Sequence, residues 1–430
     1  MGTLAIIASV ILGISFMTFV AFFGRIPALR NTPISFLHRL IFIHLPSSVV
    51  SLDRLLTNGR LTTSLTRLAH YLWYDQHPTI LIFFFLLLSV GEYLYLPVAW
   101  PLLSRTHKFL GTISIILPYL FLYLSAFTDP AHITPSTHVR EMARYPYDFS
   151  LFHPGTICET CRLLKPARSK HCSICKKCVG RMDHHCIFIN NCVGANNQRW
   201  FILLLLSTAI LTSYGGLLGL DIIRTKIQVR FPYWTLLPWW TSRAAWQSGE
   251  LDFHRWLVLW TWGLQSGVAM GSVTLLALLT TPLVWGLLGY HLWLVYCGTT
   301  TNESMKWQDW QAEMDEGGVY KRKIEGRERV KDLKVEPAWT RWPVEAEQIL
   351  VRTDDGKPPR ESHRLPGEGN EWEAVWRLKD VENLYDIGLW DNLVDVFCPY
   401  FMFREARGRG SPVDEREFGR ERGRGRRRSS

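Results

Sequence analysis

Between positions 158 and 192 the chain crowds seven of its nine cysteines together with His171, His184 and His185. The run reads Cys158-x2-Cys161-x9-His171-Cys172-x2-Cys175-x2-Cys178-x4-Asp183-His184-His185-Cys186-x5-Cys192. Such a stretch has too little apolar side chain to fold on its own, so the thiols and imidazoles must hold it. Zinc takes four such ligands in a tetrahedron, and Cys-x2-Cys pairs suit it because a tight turn brings two thiolates to one ion. Two four-coordinate ions need eight ligands. The segment offers ten, which leaves one His and one Cys over. That surplus matters. A thiolate is a nucleophile, and a neighbouring His can take its proton or lower its pKa. An Asp can fix that imidazole in the right tautomer.

The segment resembles the DHHC cysteine-rich domain of protein S-acyltransferases (palmitoyltransferases). The likeness runs from Cys158 to Phe201. It includes Lys165-Pro166-Ala167-Arg168-Ser169-Lys170-His171-Cys172, the Asp183-His184-His185-Cys186 tetrad, Asn191-Cys192-Val193-Gly194, Asn197 and Phe201. Thr300-Thr301-Asn302-Glu303 matches the family's TTxE motif, Asp129-Pro130 sits where the family has DPG, and Asn383-Leu384-Tyr385-Asp386-Ile387-Gly388 with Asn392 and Phe397 looks like its C-terminal element. The resemblance implies one zinc on Cys158, Cys161, His171 and Cys178, and a second on Cys172, Cys175, His185 and Cys192, both structural. It implies Cys186 as acyl-accepting nucleophile, His184 as base and Asp183 as its orienter. Two departures stand out. The family's Pro-Trp after the catalytic Cys is Ile187-Phe188 here, and the glycine of DPG is Ala131.

The chain has 430 residues, 47% of them hydrophobic, and that average hides apolar blocks set in a basic remainder. A membrane-crossing helix needs roughly 20 mostly apolar residues. Five segments qualify: Thr3–Phe23, Thr79–Val98, Leu110–Phe127, Trp200–Leu220 and Ala269–Val295. The last lies in an apolar run from Trp256 to Cys297 that has room for a second segment or an interfacial approach. Ser35–Leu52, which holds His38, Arg39, His44 and Pro46, reads as interfacial. The fold class expected is therefore mainly α: a polytopic membrane protein with a cytosolic, loop-rich double-zinc domain. The organisation is 1–145 with three spans, 146–199 as the cysteine-rich domain, 200–297 with two spans and a luminal loop, 298–403 as a cytosolic region, and 404–430 as a disordered Arg/Gly-rich tail.

Arg25, Arg30, Arg39, Arg54, Arg60 and Arg67 follow the first span against only Asp53 and Asp75. The positive-inside rule places that loop in the cytosol. The N-terminus is then luminal, and the cysteine-rich domain and C-terminus are cytosolic. The cytosol is reducing, so clustered thiols there read as ligands or catalysts rather than disulfides. The start of the chain reads as a retained anchor rather than a cleaved signal peptide.

A cytosolic nucleophile at the membrane face meets a long-chain acyl-CoA whose tail prefers the bilayer. The implied donor is palmitoyl-CoA, its tail in a cavity among the helices and its phosphates against Arg162, Lys165, Arg168, Lys170, Lys176, Lys177 and Arg181. Those same basic residues suit anionic lipid headgroups equally well. Attack by Cys186 gives an acyl-enzyme thioester, and a substrate thiolate then takes the acyl group. A luminal N-terminus, five spans and a long charged C-terminal region are similar to a fungal branch of the family. That branch resides in the endoplasmic reticulum and modifies juxtamembrane cysteines of SNARE-type proteins. The competing reading is a non-catalytic, membrane-tethered zinc scaffold. Nucleic-acid binding is not expected, because the interleaved ligands lack the helix-length spacer of a groove-reading finger. The Trp-rich loop Asp221–His254, with Trp234, Trp239, Trp240 and Trp246, reads as a luminal aromatic belt. The charged stretch Lys306–Glu382 carries no assigned chemistry. Cys297 and Cys398 read as buried or membrane-facing thiols, either of them open to acylation.

Overall fold

The structure is a computed structural model that describes residues 16–17, 20, 32–237, 252–324, 331–359 and 372–403. The chain divides into a unit of residues 1–77 and a unit of residues 78–430.

In the first unit, helix α1 (Pro33–Thr57) and helix α2 (Arg60–Tyr74) meet at a reversal built from Asn58 and Gly59, both with positive φ. Asp53 ties the two together, accepting from the Thr62 N–H at 2.8 Å and the Thr62 hydroxyl at 2.6 Å. Ser35–Leu52, expected as interfacial, lies inside α1, which is long and apolar enough to cross a membrane. The helix carries on through Pro46 because the turn at Leu40–His44 widens to i+5 bonding just ahead of it, where a proline would otherwise break the ladder. Of the expected span Thr3–Phe23 only Phe16, Met17 and Val20 are among the described residues.

The other four expected spans are helices of the second unit: α3 (Thr79–Ala99), α4 (Arg105–Phe127), α6 (Gln198–Arg230) and α8 (Val268–Tyr296). Among the described residues five helices are long and apolar enough to span, and the chain is a multi-pass membrane protein. A helix is the form such segments must take, since hydrocarbon offers the backbone no other hydrogen-bond partners. α6 is the central post, packed on α4 and α8. It approaches α8 closely because Gly216 and Gly219 face Leu278 and Thr274; a Cβ at Gly219 would lie 2.2 Å from the Thr274 hydroxyl. The apolar run before α8 holds one further helix, α7 (Phe253–Gln265), whose 13 residues are too short to span. Asp252 caps it by accepting from the Arg255 N–H.

Trp234 does not line an open aromatic belt. It is fully buried under α7, with ring centroids 5.4 Å from Trp260 and 6.3 Å from Trp256. Residues 221–230, expected as loop, continue α6. Trp239, Trp240 and Trp246 lie outside the described residues, as does the tail 404–430.

A short helix, α5 (His138–Met142), precedes the cysteine-rich segment, which is built from two small sheets. Strands β1 (His132–Ile133), β2 (Lys170–Cys172) and β3 (Lys177–Val179) pair in the order β1-β3-β2, and β4 (His184–Cys186) pairs with β5 (Asn191–Val193). After α8 the chain returns to the same end of the bundle. It forms helix α9 (Thr301–Asp315), a sheet of β6 (Val319–Lys323), β7 (Gln348–Arg352) and β8 (Glu373–Ala374), and helix α10 (Leu389–Phe397). One apolar cluster, including Tyr145, Phe149, Phe152, Trp342, Tyr385 and Phe403, joins residues from before and after the cysteine-rich segment. That segment is thereby held between the spans and the C-terminal region.

Candidate active site and metal centres

Two four-residue clusters could each hold one metal ion. Cys158, Cys161, His171 and Cys178 form the first, and Cys172, Cys175, His185 and Cys192 the second. His171 Nδ1 lies 3.5, 3.4 and 3.7 Å from the sulfurs of Cys158, Cys161 and Cys178. His185 Nδ1 lies 3.7, 3.4 and 3.6 Å from those of Cys172, Cys175 and Cys192. Donors bound tetrahedrally to one zinc ion stand about 3.6 Å apart, so the donor sets fit that ion. The two Cys-x2-Cys turns that lie within one cluster, Cys158–Cys161 and Cys172–Cys175, have the same form. The second cysteine's N–H donates to the first cysteine's sulfur at 3.4 Å, and the next residue, Arg162 or Lys176, takes a left-handed φ. The interleaving follows from the pleat. His171 and Cys172 are neighbours on β2, so they point to opposite faces and serve different clusters.

The same alternation sorts β4. His185 is paired with Cys192 on the metal face, while His184 and Cys186 share the other face with Val193 and Asn191. Cys186, 9% exposed, packs there with Leu122, Phe201, Leu288 and Val295 at the ends of α4, α6 and α8. His184 Nδ1 is 2.7 Å from Asp183 Oδ2. Burial alone would lower the pKa of His184. The hydrogen bonds to Asp183 and Cys186, and the charges of both, outweigh burial and push it up to about 10. Burial raises that of Asp183, but His184, His291 and the Thr301 N–H hold it below the usual carboxylate range. Asp183 is thus the close hydrogen-bond partner of His184, as an orienting carboxylate would be.

The start of α9 supports this pair. The Thr301 N–H donates to Asp183 Oδ1 at 2.5 Å and its hydroxyl to Asp183 Oδ2 at 3.2 Å. This is a carboxylate at a helix N-terminus, where free N–H groups and the helix dipole favour it. Thr300 and Glu303 close a capping box that fixes the turn. Glu303 also takes both arms of Arg168, at 2.7 and 2.6 Å, and Arg168 donates to the Gly298 carbonyl at 2.9 Å. Arg168, Arg181 and Arg341 all meet Asp395 of α10, within ion-pair reach. Their charges hold Asp395 down at about 2 against the upward push of its burial. Arg168 and Arg181 are buried, so of the seven basic residues offered for CoA phosphates only Arg162, Lys165, Lys170, Lys176 and Lys177 remain at the surface.

Asparagines join the domain to the spans. Asn191 donates to the Ala126 and Thr128 carbonyls, and Asn197 to those of Ser125 and Cys192. Asn383 and Asn392 do the same for Cys297 and Tyr296 at the end of α8. These last-turn carbonyls have no partner within the helix, so the amides satisfy them. Ala131 keeps the turn its family position requires at φ +85°, a left-handed conformation that glycine adopts freely. Gly194 cannot carry a side chain, since a Cβ would sit 2.2 Å from the Pro130 carbonyl oxygen. Phe188 takes the place of the family's tryptophan, its ring 5.9 Å from Phe84 of α3.

A cavity of about 220 Å³ opens among α3, α4, α6 and α8, with Phe84, Leu88, Ile115, Leu211 and Ala277 in its apolar wall. Cys398 is exposed and Cys297 half-buried; neither joins the metal or Asp183 groups. Two participants had not been singled out in the sequence. Asp395 lies between the quoted Asn392 and Phe397, and a conspicuous acidic residue in an apolar helix was its available signal. His291 is a lone His in a spanning segment and lies beside Asp183.

Residues 151–308 match the family model for the DHHC palmitoyltransferases. The chain is 85% identical to palmitoyltransferase SWF1 of Neurospora crassa over the full length of both. It is 42% identical to palmitoyltransferase swf1 of Emericella nidulans, over 93% of this chain and 98% of that one. It is 31% identical to palmitoyltransferase swf1 of Schizosaccharomyces pombe, over 90% and 94%. The chain belongs to the DHHC palmitoyltransferase family and is a protein S-palmitoyltransferase.

Proposed function

We propose that Cys186 is the acyl carrier, with His184 as its acid–base partner and Asp183 as the group that orients His184. The observation that carries this is the placement of Cys186. It shares a strand face with His184, turns away from the metal ligands and packs against the ends of three spans. The Cys186 thiolate attacks the thioester carbonyl of palmitoyl-CoA, the carbon–sulfur bond to CoA breaks, and the departing CoA thiolate takes the proton from His184. The neutral imidazole then accepts the proton of the substrate cysteine, whose sulfur takes the acyl group and releases Cys186 as thiolate. Transfer between thioesters is close to energetically neutral.

Zinc is the ion we assign to both clusters. It is structural there: it knits β2 to β5 and leaves β4 rigid. The cavity among the four helices is the natural seat for the acyl tail, and Arg162, Lys165, Lys170, Lys176 and Lys177 for CoA phosphates. The substrate class is membrane proteins with juxtamembrane cysteines, SNARE-type proteins among them. The location is the endoplasmic reticulum, with a luminal N-terminus and the cysteine-rich domain and C-terminus cytosolic. The segments 1–145, 146–199, 200–297, 298–403 and 404–430 remain our division of the chain.

The test compares wild type with Cys186→Ser and Cys172→Ser, using clickable palmitoyl-CoA, hydroxylamine and metal analysis on the purified protein. Cys186→Ser is expected to keep about two zinc ions and lose the hydroxylamine-labile label, and Cys172→Ser to lose both metal and label. A label that survives in Cys186→Ser would instead favour the non-catalytic zinc scaffold.

A further inference from the structure

His291 is 2% exposed, and its Nδ1 has no hydrogen-bond partner. That nitrogen points at Asp183 Oδ2 from 3.7 Å. A buried polar nitrogen left unpaired is costly and calls for a reason. The surroundings supply one. Phe201 presents its edge or face to both imidazoles, 5.1 Å from His291 and 5.3 Å from His184, and the two imidazole rings lie 5.6 Å apart. Phe201 and the two imidazoles thus form one aromatic group, and both imidazoles direct Nδ1 to the same Asp183 oxygen. Thr301 and His184 already occupy the other directions around Asp183.

We propose that His291 is a positioning residue of the acyl transfer: its Nδ1–H closes onto Asp183 Oδ2 when an acyl chain is bound, locking the carboxylate that orients His184. Hydrogen bonds of catalytic groups are often long in the empty site and tighten only in the complex. The gap to an ordinary N–H···O length is about 0.8 Å. The element that must move is α8, and α8 also walls the cavity with Val273, Leu276, Ala277, Thr280 and Val284. Filling the cavity and aligning the dyad are thus two effects on one helix. The coupling makes a half-seated chain a poor acyl donor.

This inference rests on the catalytic reading of Asp183, His184 and Cys186. Its test is single-turnover acylation of the full-length protein by palmitoyl-CoA, comparing wild type with His291→Leu, His291→Asn and His291→Gln, with metal content measured alongside. An asparagine amide reaches where Nδ1 sits, and a glutamine amide where Nε2 sits. His291→Leu is expected to slow acylation at limiting palmitoyl-CoA about 10- to 100-fold, the worth of one hydrogen bond to a charged group, with part of the loss appearing as a higher palmitoyl-CoA concentration for half-maximal rate, because a bond made only in the loaded site also stabilises it. His291→Asn is expected to recover most of the rate and His291→Gln little of it. Equal rates for Leu and wild type overturn the proposal. So do equal rates for Asn and Gln, a comparison that stands even if the Leu variant loses its metals. A wild type that never takes label sinks the catalytic reading beneath it, and a wild type that labels with unaffected His291 variants sinks this one alone.

Discussion

Glu303→Gln removes one charge from a pair that has no water to replace it. Arg168 is 0% exposed and Glu303 is 1% exposed, and the carboxylate takes two charge-assisted bonds from the guanidinium. Breaking such a pair on one side costs about 3–5 kcal/mol, because the surviving charge is stranded. Arg168 retains the Gly298 carbonyl, the Tyr385 ring at 4.4 Å, the Tyr145 ring at 5.0 Å and Asp395 at 3.8 Å, which places the expected loss near the low end. For a chain of 430 residues unfolding as one, about 3 kcal/mol corresponds to a fall in Tm of about 3 °C. The assay is thermal unfolding in detergent with metal bound, run also on Arg168→Met and on the double variant Arg168→Met/Glu303→Leu. The double variant leaves no stranded charge and is expected to melt above either single one. A Glu303→Gln protein that melts with wild type, or a double variant that melts no higher than the singles, would refute the stranded-charge argument. Acylation should fall with stability in Glu303→Gln, since Glu303 also fixes the turn that presents the Thr301 N–H to Asp183.

Two further outcomes follow from local features. Ala131→Gly relieves a left-handed φ of +85° and is expected to stabilise by about 0.5–1 kcal/mol, seen as a small rise in Tm; a fall would mean the buried methyl outweighs the strain. Asp148 is buried, and burial pushes its pKa from 3.8 up to about 6, although three backbone N–H groups pull it down. Its folded value lies above the unfolded one, so its favourable contribution is complete below about pH 4 and lost as pH rises through about 6. Asp148→Asn is expected to melt above wild type at about pH 8, by an amount equivalent to about 2–3 kcal/mol, with the gap about halved at about pH 5 and closing toward about pH 4. A gap independent of pH would show that the ionised carboxyl is not the cause.

Ten candidate ligands, and a surplus of one His and one Cys, were legible because Cys-x2-Cys needs only a turn; their division into two sets and the roles within the tetrad came from the family resemblance. The spans Thr79–Val98 and Trp200–Leu220 were legible because hydrocarbon dictates both composition and length. What escaped the sequence depended on tertiary approach. Arg168 and Arg181 read as surface charge, yet Glu303 and Asp395, more than a hundred residues away, turn them inward. The stretch Lys306–Glu382 had no apparent chemistry, yet Arg341 and Trp342 from it close the core around Tyr145 and Tyr385. His291 was indistinguishable from any histidine on an apolar helix until Asp183 was found beside it. Within Ser35–Leu52 the sequence showed His38, Arg39, His44 and Pro46 but gave no sign that the helix runs through Pro46, which depends on the widened turn at Leu40–His44.

Strand β4 is three residues long, and its pleat acts as an insulator. Thiolates are good zinc ligands, and a free cysteine beside two candidate zinc sites would compete for the ion. Because Cys186 follows His185 by a single residue, it is turned to the opposite face, so the proposed acyl carrier and the candidate metal ligands share a backbone without sharing a face. A slip of one residue in the β4–β5 register would exchange the two roles: His184 and Cys186 would turn to the ion, and His185 toward the membrane. The parity of this hairpin is thus what keeps the proposed acyl carrier off the metal-facing side.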